Sequence, residues 1–173
     1  MKKYIVYALA LALMLATSAN AQIIKADVQV SGLTCSMCQL ATEKALKSLD
    51  FVSDIKPDLN KNVYEVTFKK DKKVNLDQIR NKVKGAGFSV SKLIATVNFN
   101  DIKVSNDFQY KYLGDTFYFV NVPSKNLNGS IRITVLDKGF IPDNTFKKNV
   151  AEIKAPGYKT GQVAGARVYH VTI

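Results

Sequence analysis

The chain has 173 residues, 47% of them apolar, and 25 basic side chains against 14 acidic ones give it a net charge of +11. That apolar share excludes a disordered chain, and the length is enough for a leader and one or two small folded units. The positive charge is spread through dispersed lysines without a clustered basic–aromatic motif, which describes a solvated surface and excludes a nucleic-acid reader.

Residues 1–21 read as a secretory leader. Lys2 and Lys3 supply the basic start, residues 5–16 the apolar stretch and Ala19-Asn20-Ala21 the small-residue cleavage site. The apolar run is short for a membrane anchor. The mature chain is therefore expected to start after Ala21, to carry no membrane span and to be periplasmic or secreted.

A first strand is expected over residues 24–30, where Val28 and Val30 flank polar Gln29. Gly32-Leu33-Thr34-Cys35-Ser36-Met37-Cys38 follows, and Ser36 with Gln39 reads as a capping box opening a helix over residues 37–49. Its apolar stripe runs through Cys38, Ala41, Ala45 and Leu49. Val52 and Ile55 mark a second strand before Pro57-Asp58, and a third alternates Tyr64, Val66 and Phe68 against Glu65, Thr67 and Lys69. Asn75 can cap a second helix with the stripe Leu76, Ile79, Val83 and Ala86. Gly85 and Gly87 end it, and Phe88-Ser89-Val90 begins a fourth strand. This β-α-β-β-α-β order predicts a ferredoxin-like domain over residues 22–94, an antiparallel sheet with two helices on one face.

From residue 95 the pattern changes to short strands, at 96–104, 108–113, 117–122, 130–136, 151–154 and 167–173. Turns are expected at 123–129, at Pro142-Asp143-Asn144 and at Pro156-Gly157. The predicted fold class is thus α+β, the ferredoxin-like domain followed over residues 95–173 by a small all-β domain, a barrel or sandwich with an OB-like barrel as one candidate. Phe108, Tyr110, Tyr112, Phe117, Tyr118 and Phe119 read as core with one wetted face rather than a ligand platform. No family is recognised in this second part.

The chemistry concentrates in one window. Cys35 and Cys38 are the only cysteines, Met37 is the only methionine outside the leader, and His170 is the only histidine. Two thiolates at this spacing can grip one thiophilic ion or close a small disulfide ring. At a helix start, unpaired N–H groups and the helix dipole favour the thiolate. An oxidising compartment favours the disulfide instead. By itself a Cys-x-x-Cys pair is shared by redox dithiols, half zinc sites and structural disulfides. His170, on a strand, is the candidate for an additional ligand. No Ser-His-Asp set, carboxylate pair or phosphate loop stands out, so the chain is not expected to be an enzyme.

The residues around the pair add a resemblance. Residues 26–94 resemble the heavy-metal-associated (HMA) domain family of copper chaperones and P-type ATPase tails. The likeness lies in the window from Gly32 to Cys38, in Ala45-Leu46-Lys47-Ser48-Leu49, in Val52-Ser53-Asp54-Ile55 and in Ala86-Gly87-Phe88, in the family's order and over nearly a whole domain. Leu33 stands where the family usually has methionine.

The resemblance implies a carrier or buffer of Cu(I), held by Cys35 and Cys38 and handed on by ligand exchange to a metal-transporting ATPase or efflux component. Thr34, Ser36 and Met37 would shape the metal loop, and Phe88 would lie near it and help shield the ion. Hg(II) is the alternative cargo, since the family includes exported mercury-resistance proteins, although those lack the second half found here. Zn(II) would need four ligands in a closed site where two are offered. Two such loops sharing one Cu(I) would give a metal-dependent dimer. A thiol–disulfide oxidoreductase is a reading from another class, made without the Trp-Cys-Gly-Pro-Cys signature in a chain that has no tryptophan.

Overall fold

The computed structural model describes residues 22–173, and the leader expected over residues 1–21 lies outside them. Strand β1 (Gln22–Ser31) buries Ile23, Ala26, Val28 and Val30, the apolar side of its alternation. Helix α1 (Ser36–Lys47) follows the cysteine loop, then β2 (Val52–Asp58) and β3 (Val63–Phe68), which buries Tyr64, Val66 and Phe68 as its pattern predicts. Helix α2 (Leu76–Gly85) is capped by Asn75, whose side chain accepts the Gln78 N–H at 3.0 Å, and it buries Leu76, Ile79 and Val83. With β4 (Ser89–Val104) the strands pair antiparallel in the order β2-β3-β1-β4, with α1 packed on α2 and β2, and α2 on β4. The α+β class and the ferredoxin-like first half are as the sequence predicts.

Strand β4 (Ser89–Val104) carries the molecule from one half to the other. It is 16 residues long, and its alternation of buried positions continues through residue 95, so the expected boundary at 94/95 falls inside a strand. β1 lies along one edge of its first part, and β7 (Lys125–Val135) along the other edge from Ile94 to Val104. The remaining elements are β5 (Gln109–Tyr112), β6 (Asp115–Phe119), helix α3 (Asp143–Glu152), β8 (Gln162–Val163) and β9 (Ala166–Thr172). The sheet runs β2-β3-β1-β4-β7-β9-β6-β5, with β8 paired to β9 off this path; only β6 and β9 pair parallel.

Three details of the second half differ from expectation. The strand path has two ends, so the sheet is open rather than closed into a barrel. Residues 151–154 belong to the end of α3 and its exit, not to a strand, because Pro142 is the N-cap and Phe146 is buried one turn in. The turn expected at 123–129 ends early, since β7 already begins at Lys125 and pairs it with Val104.

One apolar core serves both halves, from Val28 and Leu46 through Leu93 and Val97 to Phe119, Ile133 and Val171. Phe117 and Phe119 are fully buried, with Tyr112 and Tyr118 nearly so, which makes the aromatic cluster core. Polar ties cross the same junction. Arg167 on β9 donates to Asp77 on α2 at 2.6 Å through Nε and at 3.1 Å through Nη2, and the Tyr169 hydroxyl donates to the same carboxylate at 3.1 Å. Burial by itself would raise the Asp77 carboxyl, but the hydrogen bonds and charge of Arg167, with Arg80 behind it, outweigh this and hold it below the usual carboxylate value. Among the described residues no helix is long and apolar enough to cross a membrane.

Candidate metal centre

The cysteine loop leaves the sheet at the end of β1. Gly32 turns the chain with φ +92°, a conformation that side chains with a Cβ rarely adopt. A Cβ there would stand 3.5 Å from the Phe88 ring, so the aromatic lies directly against the root of the loop. Leu33 then drops into the core, which pins the loop, while Thr34, Cys35, Ser36 and Met37 are all exposed. Leucine in this inward position fills the role by apolar volume alone.

The helix starts one residue earlier than the Ser36 capping box predicts. Cys35 is the N-cap of α1, with extended backbone angles of φ −144° and ψ 156°, and its Sγ accepts the Cys38 N–H at 3.2 Å. The sulfur thus occupies the position a capping oxygen takes in other helices. Its carbonyl accepts the Gln39 N–H at 3.1 Å, the first turn of the helix. Cys38 is half-buried against the core, and Thr42 donates its hydroxyl to the Cys38 carbonyl at 3.0 Å. The Cα atoms of Cys35 and Cys38 lie 5.3 Å apart and the two sulfurs are joined as a disulfide.

No acidic residue stands in the first turn of α1, and its basic residues, Lys44 and Lys47, stand in the last. The positive end of the helix therefore acts on the sulfurs without a competing carboxylate from the same turn, the setting that stabilises thiolate once the pair is reduced. Met37 is 71% exposed, so its thioether points away from the core. Phe88 is half-buried, packing on the core while flanking Gly32.

His170 is elsewhere and is not available as an additional ligand. Its ring is fully buried on β9, with Nδ1 2.9 Å from Asp137 Oδ1 and Nε2 3.0 Å from the Pro156 carbonyl oxygen. Both nitrogens are engaged, so the expectation of a copper ligand at His170 is corrected by its hydrogen bonds. Asp137 also accepts the His170 backbone N–H at 2.9 Å, and Tyr118 and Tyr158 pack on the ring. No group of three or more His, Cys, Asp or Glu side chains gathers as a metal site among the described residues.

Support for the loop also comes from residues the sequence did not single out. The Tyr64 hydroxyl donates to the Gln39 carbonyl at 3.0 Å, and the Asn62 carbonyl accepts the Val30 N–H at 2.9 Å. Only Thr42 carried a readable signal, as a polar residue one helical turn beyond Cys38 and facing inward.

An apolar-anchored loop carrying a cysteine pair at a helix start, one sulfur exposed and one half-buried, offers two soft donors to a thiophilic ion once it is reduced. The family model of the heavy-metal-associated domain matches residues 27–89, and this segment of the chain is a heavy-metal-associated domain. Among solved structures, the CopZ metallochaperone is 27% identical, over 38% of this chain and 97% of that one, with a TM-score of 0.35. The yeast copper transporter domain Ccc2a, solved in apo and Cu(I) states, is 27% identical over 39% of this chain and 90% of its own, with a TM-score of 0.35. Oxidised MerP from Ralstonia metallidurans CH34 is 27% identical over 41% of this chain and 94% of its own, again with a TM-score of 0.35. No curated protein matches the chain.

Proposed function

We propose that this chain is an exported carrier or buffer of Cu(I), which binds at Cys35 and Cys38 and is handed to a partner by ligand exchange. The observation that carries the reading is the placement of the only two cysteines together, Cys35 exposed and Cys38 half-buried, at a carboxylate-free helix start within the matched segment. Two thiolates are soft donors and select Cu(I) or Hg(II) over hard cations. A pair of ligands suits Cu(I) and falls short of the four that a closed zinc site requires.

Loading begins from the disulfide. A dithiol reductant supplies two electrons and two protons, the S–S bond opens, and two thiols replace it while the reductant becomes a disulfide. Both thiols then lose their protons as the ion binds, favoured by the N-terminal dipole of α1. Exposure of Cys35 leaves room for a partner's thiolate to add to the ion before one of the resident sulfurs departs. Gly32, Leu33 and Phe88 hold the loop while the ligands change. The partner is a metal-transporting ATPase domain or an efflux component, and exposed Lys44 is placed to steer an acidic one. Lys47 is already engaged by Glu43 at 2.6 Å. A metal-dependent dimer, two loops around one ion, belongs to the same reading.

Native mass spectrometry of the chain taken from its export compartment without added reductant tests this. Copper bound to the wild type and absent from Cys35→Ser supports the reading, and mercury in its place moves the cargo to Hg(II). Retention of copper by both Cys35→Ser and Cys38→Ser would falsify it. A second reading, thiol–disulfide exchange, is favoured by the closed Cys35–Cys38 pair. Rapid reduction of insulin by the reduced chain, with no metal recovered from its compartment, would establish that reading instead.

A further inference from the structure

The open end of the sheet that carries the metal loop also carries a cleft that the first half does not form alone. β1 ends at Ser31, paired with Ser89 at the start of β4, and β7 runs antiparallel to β4 so that its own end lies beside them. The connections that leave this end therefore gather together: the cysteine loop, the Gly85–Phe88 turn and, from the second half, residues 137–143. Helix α2, residues 88–91, residues 137–143 and residues 158–162 line a cavity of about 730 Å³, in the range of small-molecule sites. Its floor is partly apolar, with Phe88, Val90, Ile141 and Tyr158.

The charges around it are unequal. Asp77 is paired with Arg167 and Arg80, and Asp137 is hydrogen-bonded to His170 with Arg167 at 3.8 Å, so both acids are already engaged by neighbouring groups. What remains is Lys84 from α2, Lys138 after β7 and Lys159 before β8, against the single carboxylate of Asp143. None of the three lysines forms an ion pair among the described residues, whereas Lys25, Lys47, Lys61, Lys72 and Lys73 all do. Three lysines without ion pairs, from three separate elements, line one concave surface, where low-dielectric walls strengthen the field of whatever charge faces it. Ser89, Ser91 and Thr160 line the same surface.

We propose that this cleft is a binding site for a small polyanion, a molecule with two or more carboxylate or phosphate groups held by Lys84, Lys138 and Lys159. Its apolar floor takes the ligand's carbon frame, and its position against Phe88 sets the ligand beside the root of the metal loop. The site is independent of the metal reading, because neither cysteine lines it and its walls come from both halves.

The test uses the full chain in its disulfide form, free of metal, titrated with sodium citrate and separately with sodium pyrophosphate by calorimetry and amide NMR. Saturable binding is expected, with shifts at residues 84, 88, 138 and 159 and a loss of about tenfold or more in K84Q/K138Q/K159Q. The control K56Q/K61Q, which removes two lysines from the β2–β3 side, should leave binding intact. Citrate alone binding names carboxylate as the recognised group, and pyrophosphate alone names phosphate. The proposal is overturned by failure to saturate with either anion, by equal weakening in the control, or by binding of a hexaglutamate peptide when neither small anion binds. Cu(I) affinity, measured on the same reduced variants, is expected to be unchanged. A fault in the metal reading therefore shows separately from a fault in this one.

Discussion

The two places where this chain gathers reactive side chains are built in opposite ways. At Cys35 and Cys38 the groups sit at the surface, one sulfur exposed and one half-buried, on a loop pinned by a glycine and a leucine. At His170 the ring is fully enclosed, and Asp137 and the Pro156 carbonyl engage both of its nitrogens. Both contain residue types that bind metals, but only the first leaves its donors accessible once reduced. Exchange chemistry needs an accessible donor on a fixed base, whereas a buried polar knot is satisfied internally and contributes fold and rigidity.

The comparison breaks first at Asp137. Asp137→Ala should remove the partner of both the His170 ring and its backbone N–H, a loss on the order of 3 kcal/mol and a fall in melting temperature of several degrees. Calorimetry should show that fall while Cu(I) affinity stays at the wild-type value. A large loss of metal affinity instead would mean that the two places are coupled.

Next in size is Asp77→Asn, which takes from half-buried Arg167 its hydrogen-bonded carboxylate and leaves it only Asp137 at 3.8 Å, about 2 kcal/mol. The sign of its pH dependence follows from the lowered carboxyl. Stability from the pair is fully present above the unfolded value near 3.8 and is lost as pH falls through the lower folded value. Acid titration of the wild type should therefore lose this contribution below about pH 4, and the Asn variant, already lacking it, should show a flatter limb there.

At the loop, Gly32→Ala should cost about 1–2 kcal/mol from the positive φ alone, since the space beside Phe88 admits a methyl group. Copper competition assays should then show weaker binding in Gly32→Ala without the broad destabilisation of Asp137→Ala. The smallest effect is expected at Met37. With 71% of it exposed, Met37→Ala should change stability by less than about 0.5 kcal/mol and leave Cu(I) affinity near wild type. A marked drop in affinity there would make the thioether a ligand.

Much of the first half could be read from the chain because its signals are local. Tyr64, Val66 and Phe68 alternate, Leu76, Ile79 and Val83 repeat at helical spacing, and Asn75 stands where a cap is needed. The second half depends on partners distant in sequence. Nothing local tells that β6 will lie parallel to β9 some fifty residues later, or that β7 will take the second edge of β4. Helix α3 was misread because Pro142-Asp143-Asn144 serves equally as a turn and as a helix start. The spacing of Phe146, Val150 and Ile153 was the signal in its favour. The cysteines were plain from composition, but Lys84, Lys138 and Lys159 meet only through the fold.

The shared strand has a last consequence, for how these molecules behave when crowded together. β4 would be an outer strand if the sheet stopped with the first half, and a bare outer strand is a template on which another chain can add itself. Here β7 lies along it from Ile94 to Val104. The outer strands that remain are poor templates, because β2 contains Pro57 between Lys56 and Asp58 and β5 is only four residues long. The appended half thus shields the metal module from sheet-to-sheet polymerisation through this edge.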